Sequence, residues 1–372
     1  PPSPPPSPPP SPPSPSAPLL PADLVKKMKI GINYGNCLEA PVEGAWAPPA
    51  NETIFDQYLK AGFTTVRIPV RWDNHTSKVA PYTVDPTFMK RVEQVVGWSM
   101  SRGFITVVNT HHEEWLDSPS AFAAGLPRLV SIWTTIANAF AGSAETLVFE
   151  IFNEPHIMNV DNLNAMNAAI LPVIRKTNPT RITMFGGLKF MNPSWLIANP
   201  EAMKIPTKTD AYVMVEIHNY DPYHYAGANP TSHSWGSAAD VLALQTWVND
   251  LNTWAHPRNI SIFYGEFGVT HKQNASTGRY DWYRVHREIG LMAGFGMCVW
   301  DDDGMYAILN RTSLLWDEGV LTALGLHTSN TTCPGGNLSS CIDQCPANPP
   351  SAFKDCCANC AANCPSPSPS PT

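Results

Sequence analysis

Eight short apolar runs, rich in β-branched and aromatic residues, alternate along the chain with longer segments of helical periodicity. This alternation is typical of repeated βα units around a parallel sheet, and it places the chain in the α/β class. The predicted strands are Ile30–Tyr34, Thr65–Val70, Phe104–Asn109, Leu147–Phe152, Arg181–Phe185, Tyr212–Ile217, Ile260–Tyr264 and Met297–Trp300. Eight units favour a closed (β/α)8 TIM barrel over a doubly wound sheet, and no Gly-x-Gly-x-x-Gly motif follows the first strand.

Prolines mark the expected ends and interruptions of several helices. Asp85-Pro86 predicts the start of one helix, and Pro127 predicts the start of another. Pro172 lies inside the helical segment Asp161–Thr177, and this position predicts either a kink or two short helices.

Polar side chains follow most of the predicted strands. Asn153 and Glu154 follow the fourth strand and are stopped by Pro155, and Glu266 follows the seventh. The other polar or aromatic residues at strand ends are Asn36, Glu39, Arg67, Arg71, His111, His112, His218, Tyr220 and Trp300. Active sites of TIM barrels form at the carboxyl ends of the strands. Two carboxylates at this face therefore indicate glycoside hydrolysis.

Six motifs occur in a fixed order between about Lys29 and Trp300. They are Gly31–Pro41, Val66–Trp72, Asn109–Trp115, Ile151–Pro155, His218–Tyr220 and Gly265–Gly268. Together they resemble the successive motifs of glycoside hydrolase family 5, the cellulase-type barrels. The resemblance implies retaining hydrolysis of a β-glycosidic bond, with Glu154 as acid/base and Glu266 as nucleophile.

The same resemblance implies residues that surround the sugar at the cleavage point. These are Arg67, His111, Asn153, His218, Tyr220 and Trp300. Further candidates for substrate binding are Asn36, His112, Trp46 and Trp115. For each histidine taken singly, a hydrogen-bonded place in the core remains an open alternative.

A retaining mechanism constrains the geometry and charge of the two carboxyl groups. We expect Glu154 and Glu266 to lie roughly 5–5.5 Å apart. They must hold different protonation states at one pH, and we expect Arg67 and the Tyr220 hydroxyl to keep Glu266 ionised. The Asn153 amide is suited to bind the 2-hydroxyl of the sugar.

The main functional hypothesis is an endo-β-1,4-glucanase that acts on cellulose-like β-glucans. The same machinery acting on mannan, xyloglucan or a β-1,3-glucan remains open, because sequence alone does not place the rings of the cleft rim. Those rings are Trp46, Trp72, Trp115, Tyr223 and Trp235. A non-catalytic polysaccharide-binding barrel is the second alternative.

Two segments resemble known metal-binding motifs but depart from them. His112-Glu113-Glu114 begins like a zinc-protease helix, but Leu116 stands where the second histidine is required. Asp301–Gly304 is too short for an EF-hand loop, although a calcium ion at the barrel rim remains open. We therefore expect catalysis without a cofactor or a metal ion.

Charge and glycosylation signals indicate the partners and the location. The net charge of −7, from 24 basic and 31 acidic residues without a basic block, disfavours nucleic acid and anionic membranes. No run of 18 or more apolar residues is present. Seven Asn-x-Ser/Thr acceptors and clustered cysteines favour a secreted protein.

Composition divides the chain into four predicted segments. They are a Pro/Ser-rich linker at 1–18, the catalytic barrel at 19–328, a cysteine-rich module at 329–364 and a Pro/Ser linker at 365–372. We expect a monomer that is part of a larger modular chain. Spacing allows Cys341–Cys360 and Cys345–Cys356 bridges across a helical hairpin, whose role as sugar-binding module or spacer stays open. Cys37 and Cys298 could pair, but buried thiols are favoured.

Overall fold

The computed structural model describes residues 18–327, and their central feature is a closed barrel of eight parallel strands. The strands are β1 (Ile30–Asn33), β2 (Thr65–Ile68), β3 (Ile105–Asn109), β4 (Leu147–Glu150), β5 (Thr183–Gly186), β6 (Val213–His218), β7 (Ile262–Phe267) and β8 (Gly296–Val299). Each strand pairs with its neighbours in sequence, and β1 pairs with β8 where Ile30 meets Met297. The predicted TIM barrel is confirmed.

Helices follow the strands along the chain. They are α1 (Pro21–Met28), α2 (Glu52–Ala61), α3 (Pro86–Ser101), α4 (Phe122–Ala139), α5 (Val160–Thr177), α6 (Pro193–Ala198), α7 (Tyr223–Ala226), α8 (Ala238–Ala255), α9 (Arg279–Met292) and α10 (Glu318–Ala323). A short antiparallel pair, β9 (Leu309–Asn310) and β10 (Leu315–Trp316), follows the barrel. Among the described residues, no helix combines the length and hydropathy needed to cross a membrane.

The two ends of the barrel interior differ in polarity. Leu24 and Met28 of α1 pack against Ile105 and Ile182, at the amino-terminal ends of β3 and β5, in an apolar cluster. Farther along the strands, buried polar side chains replace apolar ones, and these are Asn33, Arg67, Asn109, Glu150 and Glu216. The end of the barrel that α1 covers is therefore an apolar core, and the opposite end carries the polar side chains expected of an active site.

Helix boundaries agree with the sequence prediction at Pro86 and differ from it at Pro127. Asp85 caps α3, which begins at Pro86 as predicted, and its side chain accepts from the Thr87 amide. The predicted start of α4 at Pro127 is wrong, because the helix begins at Phe122 and contains the proline. Burial of a long apolar stripe outweighs the one backbone hydrogen bond that the proline removes. That stripe comprises Leu129, Ile132, Trp133 and Ile136.

The helix α5 is continuous through Pro172, so the alternative of two short helices is wrong. Its buried face includes residues before and after the proline, Leu163 and Ile170 on one side and Ile174 on the other. Packing of this face against the barrel holds the two parts in one helix.

The seventh strand extends farther than predicted. Glu266 lies within β7 rather than after it, and it pairs with His218 at the end of β6. The register shifts between Tyr264 and Phe267, which marks an irregularity at the position of the acidic residue. Irregular strand positions of this kind often redirect a side chain beside an active site.

The cysteine predictions fall partly outside the described residues. Cys37 and Cys298 are both buried free thiols, as favoured from the sequence. The predicted bridges of the 329–364 segment and both Pro/Ser linkers lie essentially outside residues 18–327. The four domain boundaries stay predictions.

Candidate active site

A cavity of about 880 Å³ opens at the carboxyl ends of the barrel strands. Ten of the predicted site residues line it: Asn36, Trp46, His111, His112, Asn153, Glu154, His218, Tyr220, Glu266 and Trp300. The structure does not place Arg67 or Trp115 on its wall. The strand-end residues therefore meet at one site, contributed by most of the barrel.

The two candidate catalytic acids stand side by side in different surroundings. A carboxylate oxygen of Glu154, one of Glu266 and a ring nitrogen of His218 lie within 4.8 Å of one another. This closeness fits the roughly 5–5.5 Å separation of retaining enzymes better than the wider spacing of inverting ones. The Glu154 side chain is 28% exposed, whereas that of Glu266 is 6% exposed. One carboxyl group faces the cavity, and the other is almost enclosed.

Arg67 lies beneath the cavity and holds the carboxylates from inside the barrel. Its Nη1 donates to Glu266 Oε1 at 2.7 Å, and its Nη2 donates to Asn153 Oδ1 at 2.7 Å. Its Nε lies 2.7 Å from Glu150 Oε2 and 3.1 Å from Glu216 Oε1. The side chain is fully buried. Arg67 therefore contacts Glu266, as expected from the sequence, and also holds Asn153, whereas its own side chain does not reach the cavity wall.

Glu150 and Glu216 belong to this network, and sequence reasoning missed both. Each is a single acidic residue in an otherwise apolar strand, and a fully buried glutamate almost always has a charged partner. The acidic residue within an apolar run was therefore the signal that could have identified them. Burial opposes it, but the charge of Arg67 leaves the pKa of Glu150 below its ordinary value. Burial and the charge of Glu150 raise the pKa of Glu216 to about 7. A Cβ atom at Gly265 would stand 1.8 Å from Glu216 Oε1, so this position has room only for glycine.

The environment of Glu266 combines burial with three stabilising neighbours. Its Oε2 accepts from the Tyr220 hydroxyl at 2.9 Å, while Arg67 holds its other oxygen. Burial raises the pKa of Glu266 above its ordinary value, and the positive charges of His218 and Arg67 oppose that rise. The sequence identified two of these donors but gave no measure of burial.

His218 links the cavity to the buried network. Its Nδ1 lies 2.9 Å from Glu154 Oε1, and its Nε2 lies 3.2 Å from Glu216 Oε1. Although burial lowers it, the pKa of His218 is raised to about 10 by the charge of Glu266 and by these two hydrogen bonds. The protonated ring donates to both carboxylates and supplies a second buried positive charge beside Arg67.

The raised pKa of His218 predicts a pH-dependent contribution to stability. The protonated form is favoured by folding, so this contribution is complete below the ordinary pKa of 6.5 and is lost as pH rises through about 10. We expect the difference in free energy of unfolding between the wild type and His218→Gln to shrink by on the order of 5 kcal/mol over that interval, since each pKa unit corresponds to about 1.4 kcal/mol. Urea unfolding of both proteins at several pH values measures it. A difference that does not change with pH would contradict a charged His218.

His111 has the opposite electrostatic character. Burial lowers the pKa of His111 well below its ordinary value, so the ring is neutral. Its Nδ1 lies 2.9 Å from the Asn109 amide, and its ring lies parallel to Trp300 at a centroid distance of 6.2 Å. His111 and Trp300 thus form a neutral wall of the cavity.

The candidate rim rings divide into two groups. Trp46 and Tyr223 line the cavity together with the site residue Trp300, and Trp46 is 45% exposed. Trp72 and Trp235 are buried away from it. Trp115 packs against the core, where its Nε1 donates to Glu113 at 2.6 Å and the Arg128 guanidinium covers its ring at 4.5 Å. These two partners hold Trp115 out of the cavity.

The loop after β4 holds Glu154 in a sparsely populated backbone conformation. Glu154 has a φ of 49°, which non-glycine residues rarely adopt. The Asp117 carboxylate accepts the backbone N–H groups of His156, Ile157 and Met158 at 2.9–3.3 Å. These bonds fix the segment that follows Glu154, so its carboxyl group is held in place by the loop.

The aspartates that suggested a rim calcium site form hydrogen bonds and an ion pair with other groups of the protein. Asp301 accepts the Ile308 amide and pairs with Arg311, and Asp302 accepts the amides of Gly304 and Tyr306. Within residues 18–327, two sets of three side chains are close enough to share a metal ion. One set is Glu150, Glu216 and His218, and the other is Glu154, His218 and Glu266. In both groups the oxygens already face Arg67 or His218, which fits an internal ion-pair network.

Comparison with known proteins gives consistent results. Residues 31–304 match the family described as "Cellulase (glycosyl hydrolase family 5)". Endoglucanase H of Acetivibrio thermocellus is 40% identical over 311 residues, which cover 82% of this chain and 33% of that protein. Cellulase/esterase CelE of the same organism is 31% identical, over 79% of this chain and 39% of that protein. The chain thus spans little more than a third of the length of these relatives.

Solved structures show the same barrel. A hyperthermophilic endo-beta-1,4-glucanase in complex with substrate has a TM-score of 0.77 and 31% identity, covering 82% of this chain and 99% of that one. Thermotoga maritima Cel5A in complex with mannotriose has a TM-score of 0.77 and 29% identity, with the same coverage of both chains.

Proposed function

Because the chain belongs to glycosyl hydrolase family 5, we propose that it cleaves internal β-1,4-glucosidic bonds of cellulose-like β-glucans with retention of configuration. The observation that carries this proposal is the closeness of Glu154, Glu266 and His218, within 4.8 Å of one another, in the wall of the barrel-end cavity. The endoglucanase names of the relatives support the choice of bond.

In the first step, Glu266 attacks the anomeric carbon and forms a glycosyl ester. Glu154 gives its proton to the glycosidic oxygen as the carbon–oxygen bond breaks, so that the departing sugar leaves as a neutral alcohol. Arg67 and Tyr220 each hold one oxygen of Glu266, which keeps the carboxylate in the orientation for attack.

In the second step, water replaces the departed sugar. Glu154, now ionised, takes a proton from this water as the oxygen bonds to the anomeric carbon. The ester bond breaks, and Glu266 returns as a carboxylate. His218 contacts Glu154 directly and lies 3.7 Å from Glu266. Its positive charge therefore stabilises the Glu266 carboxylate before attack, and it stabilises the Glu154 carboxylate once Glu266 has become an ester. The Asn153 amide, fixed by Arg67, is available for the 2-hydroxyl.

Substrate choice and mechanism are tested together with a trap and a panel. A 2-deoxy-2-fluoro-β-cellobioside with a dinitrophenyl leaving group should release one equivalent of phenolate and label Glu266, which peptide mass spectrometry locates. On the panel, we expect a soluble β-1,4-glucan to be cut fastest, with viscosity falling well before reducing ends accumulate.

The alternatives give different results in the same experiments. Preferential cleavage of mannan, xyloglucan or a β-1,3-glucan would keep the mechanism and replace the substrate, and the mannotriose complex of a related structure favours including mannan. A non-catalytic binding barrel would bind polysaccharide without turnover and without a labelled glutamate.

The setting of the enzyme is part of the proposal. We infer a monomeric barrel within a larger secreted, modular chain, with the 329–364 segment as a disulfide-stapled module. Its support is the seven cysteines of residues 333–364, the Pro/Ser-rich segments and the seven Asn-x-Ser/Thr acceptors. The acidic net charge of −7 fits a neutral β-glucan partner better than nucleic acid or a membrane.

A further inference from the structure

A buried carboxylate in the loop after β3 binds the segment that follows Glu154. The Asp117 side chain is 2% exposed, and it accepts the backbone N–H groups of three successive residues. These are His156 at 3.1 Å, Ile157 at 3.0 Å and Met158 at 2.9 Å. Hydrogen bonds to an ionised acceptor are roughly twice as strong as those between neutral groups. Asp117 therefore fixes the chain directly after the candidate acid, and it does so from a different loop.

His156 adds a second connection between the two loops. Its Nδ1 lies 2.8 Å from the Glu154 carbonyl oxygen and 3.0 Å from Asp117 Oδ2. Both neighbours are hydrogen-bond acceptors, so this nitrogen carries a ring hydrogen and donates. The backbone of Glu154 is thereby joined to Asp117 through one ring.

The backbone conformation of Glu154 depends on such support. Its φ of 49° lies in the left-handed region, although the following Pro155 favours extended backbone at this position. Release of the Asp117 contacts would let Glu154 relax toward a negative φ. Its carboxyl group would then move away from His218 Nδ1, which lies 2.9 Å from Glu154 Oε1.

We propose that Asp117 is a positioning residue for proton transfer by Glu154. This inference rests on the proposed function, in which Glu154 protonates the departing oxygen and later takes a proton from water. Both oxygens of Asp117 accept from the loop amides, so it acts through Glu154 rather than on the sugar. The attacking group is held by other residues, since Arg67 and Tyr220 each bind one oxygen of Glu266. The Asp117 contacts therefore affect proton transfer and leave nucleophilic attack unchanged.

The test compares two substrates that differ in their need for a proton. Asp117→Asn keeps the size of the side chain but turns N–H donors toward the loop amides, so it releases the loop. The variant should lower kcat/KM for cellopentaose about 100-fold, at the lower end of what general acid catalysis contributes. For 2,4-dinitrophenyl β-cellobioside, whose phenolate departs without a proton, kcat/KM should stay within about threefold of wild type.

A second readout follows the step in which water enters. With the dinitrophenyl substrate, kcat of Asp117→Asn should fall about tenfold or more, because hydrolysis of the glycosyl ester needs a proton acceptor. Azide needs no proton acceptor: it bonds to the anomeric carbon, the ester bond breaks, and Glu266 returns as a carboxylate. Azide should therefore raise kcat of the variant at least about fivefold and give β-cellobiosyl azide, whereas the wild type should not respond.

Asp210→Asn is a matched control for the loss of a buried carboxylate. Asp210 accepts the Tyr212 amide at 2.9 Å and pairs with Arg175 at 2.6 Å, but it does not line the cavity. This variant should lower stability and keep the wild-type ratio of the two kcat/KM values, without a response to azide. If Asp117→Asn does not fold, His156→Phe carries the test, because it removes the Nδ1 donor and keeps a ring. It should show the same pattern with a smaller loss on cellopentaose.

The outcomes separate the positioning role from the proposed function. Equal losses on the two substrates without a response to azide, or no loss on either, would overturn the positioning role. A wild type that cleaves neither substrate and is not labelled at Glu266 by the fluoro sugar would instead contradict the proposed function.

Discussion

Replacing Glu266 with Gln should reduce turnover of a β-1,4-glucan by at least about 10⁴-fold, because an amide does not attack the anomeric carbon. The fold should survive the change. Burial already disfavours the charged form of Glu266. The amide oxygen of Gln still accepts from Arg67, and its NH2 group, in place of the second oxygen, donates to the Tyr220 hydroxyl oxygen. Steady-state rates on the glucan, together with thermal unfolding, measure the two effects separately.

Glu216→Gln is a matched control for this loss. It also removes one buried negative charge beside Arg67 and His218, but Glu216 does not line the cavity. We expect it to retain readily measurable turnover with an altered pH profile. Comparable activity in the two variants would show that charge balance, rather than nucleophilic attack, explains the effect, and the assignment of Glu266 would be abandoned.

The barrel and the catalytic pair were predictable because both depend on local patterns. Eight apolar runs at regular spacing leave few alternatives to a closed parallel sheet. Asn153-Glu154 ends an apolar run and is followed by a proline, so its position at a strand end is visible without knowing any contact. Glu266 was found in the same way, although the strand that carries it continues past it.

What the sequence did not predict depends on contacts between distant parts of the chain. Glu150 and Glu216 are single acidic residues in apolar strands, and only the closed barrel shows that both face Arg67. Trp115 has a large aromatic ring of the kind that binds sugars at a cleft rim, but Arg128 from α4 and Glu113 hold this ring against the core.

The turn formed by residues 189–191 shows a different limit, because all three have a positive φ. Intrinsic preferences of Lys, Phe and Met argue against this left-handed conformation, so no local pattern indicates it. The turn exists because Met191 is packed against Gly186 and Asn192 is bonded to Asp221, contacts that form only in the folded barrel. Local rules fail here at a position that faces the cavity, where functional strain is expected.

Arg67→Met should destabilise the protein by about 3–5 kcal/mol at neutral pH, since it leaves three buried carboxylates without their shared cation. Those carboxylates are Glu150, Glu216 and Glu266, and all three lie within 3.1 Å of Arg67 nitrogens. Activity should also fall sharply, because Glu266 and Asn153 both lose the group that orients them. Met keeps the apolar stem of the side chain, so the substitution mainly removes the guanidinium charge and its five hydrogen bonds.

The destabilisation by Arg67→Met should depend on pH in a defined direction. Arg67 lowers the pKa of Glu150 in the folded state, so this stabilisation is present above the ordinary value of 4.5 and is lost as pH falls through the lower folded value. The wild type and Arg67→Met should therefore converge in stability at acidic pH, as followed by urea unfolding. Adding Glu150→Gln to Arg67→Met should recover part of the loss at pH 7, because one uncompensated buried charge is removed. A deficit that persists unchanged at low pH, with no recovery in the double variant, would mean that packing rather than charge explains the role of Arg67.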